Sequence, residues 1–171
     1  NDVEMIVGLD APLRFGSKKS KLIGVLPSMI SQHTFEKFIQ PNLSIPRDID
    51  VLIAGSKYRK RLVINDFLQK NGLKVEMLGG DYGKKRLSYD EYFLISCRAK
   101  IRVLSLFTSD ELEIHLKAQI AEVVATASLL FVNSPHLVSI YFDERKEFIS
   151  YASLEDLLEK VKWYLGHDKE R

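Results

Sequence analysis

The sequence predicts an α/β domain, a Rossmann-like, doubly wound parallel sheet with helices on both faces. Three observations carry this. From Asp48 onward, short apolar runs alternate with longer stretches of helical periodicity. The runs, at 49–54, 73–78, 101–107, 128–133 and 147–151, are largely apolar rather than strictly alternating, as strands covered on both faces require. Glycine-containing breaks at Gly55-Ser56, Asn71-Gly72 and Gly79-Gly80 fall where strand and helix would meet.

Residues 1–46 carry no such order. Residues 3–9 read as a strand that Ala11-Pro12 and Phe15-Gly16 break, 17–21 as a basic turn, and 22–26 as a second apolar run stopped by Pro27. Pro41 and Pro46 bracket an extended piece, and the three prolines within twenty residues mark a connector of fixed path. The expected division is 1–46, a connector or remnant of a preceding domain, and 47–171, the α/β domain.

The ordered part starts with the strand 49–54. A helix over 57–70 follows and stops at Asn71-Gly72. After the strand 73–78, Ser88 and Glu91 have capping-box spacing, and Leu87 and Tyr92 that of a hydrophobic staple, for a helix running to about Arg98. The strand 101–107 leads into a helix over 108–127, which Thr108 and Glu111 would cap. Strands 128–133 and 147–151 come next. Ser153 and Asp156 then open a last helix whose Leu154, Leu157, Leu158, Val161 and Leu165 share a face and which Gly166 can end.

The length of 171 residues suits one domain, or a domain with an extension, and 46% hydrophobic with 28% charged residues is ordinary globular composition. A net charge of +2 is too mild to indicate a nucleic-acid partner. The longest strongly apolar run, at 129–132, is far too short to span a membrane, and no secretory signal opens the chain. Cys97 is the single cysteine, so no internal disulfide forms, and its place in an apolar helical pattern makes it a packing residue. His33, His115, His136 and His167 share no ligand spacing, so no metal is expected. A reducing compartment, hence the cytoplasm, is the expected location.

The helix 108–127 is the most informative element. Leu112, Leu116, Ile120, Val123, Val124 and Ala127 make one apolar face, and Ile114, Ala121 and Ala125 line another side. His115, Gln119, Glu122 and Thr126 form a polar stripe at i, i+4, i+7 and i+11. A polar edge on a mostly buried helix is either hydrogen-bonded internally or faces a cleft.

In doubly wound sheets ligands sit beyond the carboxyl ends of the strands, near the switch in strand order. Gly55 and Ser56 close the first strand, and Lys57, Tyr58, Arg59, Lys60 and Arg61 follow. Positive charge in a first helical turn opposes the helix dipole, and a bound phosphate would relieve that. The alternative is a solvated basic turn; neither a Walker A loop nor a dinucleotide glycine pattern is present. Gly79-Gly80-Asp81-Tyr82-Gly83 is either a turn or the wall of a nucleotide pocket, and the Lys84-Lys85-Arg86 run after it reads as a solvated face. Asn133-Ser134-Pro135-His136 reads as a loop.

From Asp48 to Arg171 these features together resemble the C-terminal half of the spore-maturation-protein (CgeB-like) glycosyltransferases. The matching residues are the glycine-closed strands, Ser88-Tyr89-Asp90-Glu91-Tyr92, the Glu122 helix, Phe142-Asp143-Glu144-Arg145-Lys146-Glu147-Phe148 and Ser153-Leu154-Glu155-Asp156-Leu157. Residues 27–46 look like the linker into that half. The resemblance covers about three quarters of the chain and consists of many weak matches. It implies the donor-binding domain of a two-domain (GT-B) enzyme that transfers a sugar from a nucleoside diphosphate sugar to an acceptor the sequence does not name. That donor substrate would be the ligand, with no separate cofactor. Glu122 would hold ribose or sugar hydroxyls, and Gly55 and Ser56 would approach the diphosphate. Arg59, Arg61, Gly80, His115, Lys117 and Gln119 complete the expected donor site.

The family pattern is close to K-G-R-x-x-E-x-x-A-x-G. Lys117 and Glu122 match it, while Ala118, Gln119 and Ala127 stand in place of glycine, arginine and glycine. The lost arginine removes a natural phosphate partner, which Arg59 or Arg61 would have to replace. Related enzymes often carry a second acid eight residues before the one matching Glu122; here that position is Ile114, with Glu113 one place off. Because residues 1–46 cannot build an acceptor domain, the isolated chain is expected to lack turnover, and a preceding domain outside it to complete the site. The competing expectation is a non-catalytic relative that binds a nucleotide or a protein partner.

Overall fold

A computed structural model of the chain describes residues 5–8, 21–25, 30–80, 87–107 and 117–171. Near the start, β1 (Met5–Gly8) and β2 (Lys21–Val25) pair in parallel as a separate two-stranded sheet. Residues 32–42 are helical: α1 (Gln32–Thr34), then a π turn (Phe35–Ile39) and a 3-10 turn (Gln40–Asn42). The extended path expected between Pro41 and Pro46 is therefore a helical end and a turn. The ring of Pro41 sits in the first turn of the 3-10 segment, where a fixed φ suits helix as well as extended chain.

The main sheet holds β3 (Ile49–Ala54), β4 (Val75–Leu78), β5 (Ala99–Leu104), β6 (Leu129–Val132) and β7 (Phe148–Ser150), all parallel, in the order β4-β3-β5-β6-β7. Val51 lies opposite Val75 on one side and Ile101 on the other. Five strands, parallel and apolar, are the predicted sheet. β5 starts two residues early because small Ala99, fully buried opposite Ile49, continues the strand straight from the preceding helix.

Alternate residues of each strand serve opposite faces. Val51 and Ile53 of β3 and Phe131 of β6 join one cluster with Ile64 and Leu68 of α2 (Arg59–Lys70) and Leu157 and Val161 of α6 (Leu154–Gly166). Leu52 and Ala54 face the other way, against Tyr92 and Ile95 of α3 (Tyr89–Arg98). Leu130 and Val132 pack with Ile120 and Val123 of α4 (Gln119–Ala125) and Val138 of α5 (Pro135–Val138). Both faces are covered, so burial rewards apolar side chains on both sides of a strand, by about 1.5–3 kcal/mol for each fully buried one. The segment 30–45 packs outside α3, through Ile39 against Phe93 and Cys97.

Ser88 and Glu91 make the predicted capping box, and Ser153 caps α6 by accepting from the Asp156 N–H. The residues read as a loop after β6 instead include α5, with Pro135 in its first turn. Arg47, just ahead of β3, donates to Ala99 O, Ser128 Oγ and Thr126 O, tying the entering chain to the ends of β5 and α4. Of the helix expected over 108–127, residues 119–125 are helical. The Thr108–Glu111 cap and His115 lie outside the described residues. α4 ends in two reverse bonds, Ser128 N–H to Val123 O and Ala127 N–H to Val124 O, with Ala127 at φ +52°. This is the Schellman geometry, in which the residue after the cap takes a left-handed conformation that glycine adopts most easily.

Candidate functional site

The chain runs from β3 through α2 to β4, then crosses back over β3 through α3 to β5. The order of strands therefore reverses between β3 and β5, and in sheets of this class the ligand crevice lies beyond their carboxyl ends. Gly55 follows β3 at φ +112°, and its N–H donates to Leu78 O at 2.8 Å. A Cβ on Gly55 would lie 2.5 Å from Arg61 Nη1, and one on Gly79 (φ +122°) would lie 2.2 Å from Gly55 O. Both positions exclude a side chain, by contact and by conformation. The two strand ends thus close on each other and on one guanidinium.

That guanidinium belongs to Arg61, in the first turn of α2. It is buried, donates from Nη1 to Ser56 O at 2.7 Å, and lies 5.1 Å from the centre of the Tyr58 ring. Burial pulls its pKa below the usual arginine value. Across the crevice Lys117 Nζ donates to Ser105 O and, at 2.8 Å, to Phe107 O, the residues that follow β5. Burial, and secondarily the Arg61 charge, push Lys117 down to about 8. Lys60 Nζ sits 3.3 Å from the centre of the Phe107 ring. Among the described residues no carboxylate forms an ion pair with Arg61 or Lys117. Two partly desolvated cations beside each other, with no carboxylate partner among the described residues, are what an anion stabilises.

Gln119, at the start of α4, donates from Nε2 to Ala54 O at 3.3 Å, and its buried Oε1 has no partner. One turn further, Glu122 Oε2 accepts from the Tyr92 hydroxyl. Tyr92 in turn accepts from Arg102 Nη2 at 2.9 Å, and Arg102 Nη1 donates to Ser96 Oγ at 3.3 Å. Arg102 is fully buried and its Nε is unpaired. Burial raises the Tyr92 pKa, partly countered by Arg102. Thr126 Oγ1 turns back to Glu122 O and Val123 O of its own helix. The polar stripe is therefore divided: Gln119 reaches the crevice, Glu122 joins an internal network through one oxygen, and Thr126 caps.

Of the expected donor-site residues, Gly55, Ser56, Arg61, Lys117 and Gln119 meet at the switch point. Arg59 is exposed on α2, and Gly80 is exposed just past Gly79, which makes the close contact. The remainder of the glycine segment from Asp81 and the 84–86 basic run lie outside the described residues. His136 is exposed on α5. Sequence reasoning missed the roles of Gly79, Lys60, Phe107, Tyr92 and Arg102. An arginine in the middle of the apolar run 99–104 was the one available signal, since a strand-central charge needs buried partners. Among the described residues no cluster of His, Cys, Asp or Glu is suited to hold a metal ion, and no helix is long and apolar enough to cross a membrane.

A five-stranded parallel sheet with helices on both faces defines the class of α/β, Rossmann-like domains. Residues 36–171 match the family described as glycosyl transferase-like, and the chain belongs to that family. Searches of curated proteins and of solved structures found no match.

Proposed function

We propose that this chain is the donor-binding domain of a GT-B glycosyltransferase of the CgeB-like kind, and that the switch-point crevice holds a nucleoside diphosphate sugar. The observation that carries the reading is the Arg61 and Lys117 pair, which lacks a carboxylate partner among the described residues and lies next to Gly55 and Ser56. In this reading the diphosphate lies against these cations, which stabilise the charge that grows on the leaving group as the sugar departs. Arg61 supplies the charge that the family arginine at position 119 would otherwise bring. Gln119 Oε1 accepts from a donor hydroxyl, and the Glu122 oxygen not taken by Tyr92 faces the ribose. Arg59 and Gly80 line the outer part of the site. A GT-B reaction centre lies between two domains, so the isolated chain binds donor without turnover.

A second reading, a non-catalytic relative that binds a nucleotide or a partner protein, is favoured by one observation: Gln119 spends its amide on Ala54 O. Thermal unfolding against UDP, GDP, ADP, CDP and dTDP, each with and without its common sugars, tests the proposal. A ligand at 100 times its dissociation constant stabilises by about 2.7 kcal/mol. A shift for one base supports donor binding, and Arg61→Met should remove it. No shift with any of them leaves the non-catalytic relative as the better account.

A further inference from the structure

Glu122 does not stand alone. Its Oε2 is held by the Tyr92 hydroxyl, which is held by the buried Arg102, which is held by Ser96. The direction of this chain is fixed. Arginine can only donate, so its bond occupies a lone pair of the Tyr92 oxygen, and the phenolic proton must point elsewhere. The acceptor within reach is Glu122 Oε2. One carboxylate oxygen is thereby held, which restricts the turning of the group, and the other makes no hydrogen bond to a described residue; Glu122 lies one helical turn after Gln119. Arg102 enters from the middle of β5 and Tyr92 from the first turns of α3, so sheet and helix together hold that oxygen.

We infer that Tyr92, backed by Arg102, is a positioning residue that orients the Glu122 carboxylate toward the ribose hydroxyls of the bound nucleotide and so makes the site prefer ribose to 2′-deoxyribose. The inference rests on the donor-binding reading. A rigid acceptor distinguishes a diol from a single hydroxyl better than a freely turning carboxylate, because a mobile one can regain a bond to whichever hydroxyl is left.

The test uses the full chain and calorimetric titration. UDP, GDP, ADP and CDP are each titrated beside their 2′-deoxy forms, into the wild type and into Tyr92→Phe. For the base that binds, the wild type should prefer the ribose form by tenfold or more. Tyr92→Phe should cut that preference to threefold or less and leave the affinity for the 2′-deoxy form within about twofold. A purely structural role for Tyr92 would weaken both forms alike and leave the ratio unmoved, and that result would overturn the inference. If Tyr92→Phe does not fold alone, the same comparison is made in an Ala127→Gly background, where the strained turn after α4 is relieved. A wild type that binds none of these nucleotides and not dTDP either defeats the donor-binding reading and this inference with it, whereas one that binds dTDP alone, itself a 2′-deoxy nucleotide, defeats the inference only. A wild type that binds with an unaltered ratio in the variant defeats the inference alone.

Discussion

Replacing Ala127 with glycine should make the protein more stable, which few single substitutions do. Ala127 holds φ +52° because the two reverse hydrogen bonds that end α4 need a left-handed residue there. A Cβ in that conformation crowds the following carbonyl and costs about 1–2 kcal/mol. Ala127 is exposed, so its methyl group contributes little packing in return. Against the relief stands the extra freedom glycine gives the unfolded chain, about 0.4–1 kcal/mol. The net gain is about 0–1.6 kcal/mol, centred on about 0.8 kcal/mol, or a rise in Tm of about 2–3 °C at the centre for a chain of this length. Urea unfolding followed by circular dichroism measures it, and an unchanged m-value would show that stability changed and not the surface exposed on unfolding. The β-branched control Ala127→Val should lose about 1 kcal/mol or more, since a bulkier side chain suits the left-handed region less. An Ala127→Gly chain less stable than the wild type would refute the Schellman assignment and the strain attributed to it.

Gly79→Ala should cost about 3 kcal/mol or more, because its Cβ would meet Gly55 O at 2.2 Å and its φ of +122° suits only glycine; urea unfolding would show it. Glu122→Ala should destabilise by about 1–3 kcal/mol through the loss of the acceptor for Tyr92 above the buried Arg102. Its effect should shrink in a Tyr92→Phe background, and a double-mutant cycle whose losses simply add would count against the network. Lys117 titrates near 8 in the folded chain against 10.5 unfolded, so between these values the unfolded state holds more protons and stability rises with pH. Below 8 the lysine is charged in both states and its burial cost is fully present; Lys117→Met should remove the slope in a pH series of unfolding midpoints.

The sheet was legible because a strand buried on both faces leaves a mark no other element leaves: Val51 and Ile53 serve one core cluster while Leu52 serves the other. Capping was legible for a similar reason, since Ser88–Glu91 and Ser153–Asp156 are local bonds with fixed spacing. Gly55, Ser56 and Arg61 could be placed because a parallel sheet states where strand ends gather. The Arg102–Tyr92–Glu122 relay could not. Its members are 10 and 30 residues apart, and their meeting depends on how α3 and α4 pack on the same face. For Glu122 the internal network is seen through one oxygen, and a carboxylate has a second that can face a cleft at the same time. Segment 32–42 escaped because prolines mark a rigid path without saying which one.

The three bonds of Arg47 have a mechanical meaning. They join the stretch that enters β3 to the start of β5 and to the residues that end α4, the helix that carries Gln119 and Glu122. A load borne by the residues before Arg47 therefore does not dissipate in a slack leash. It is shared between the start of β5 and the base of the helix that carries Gln119 and Glu122.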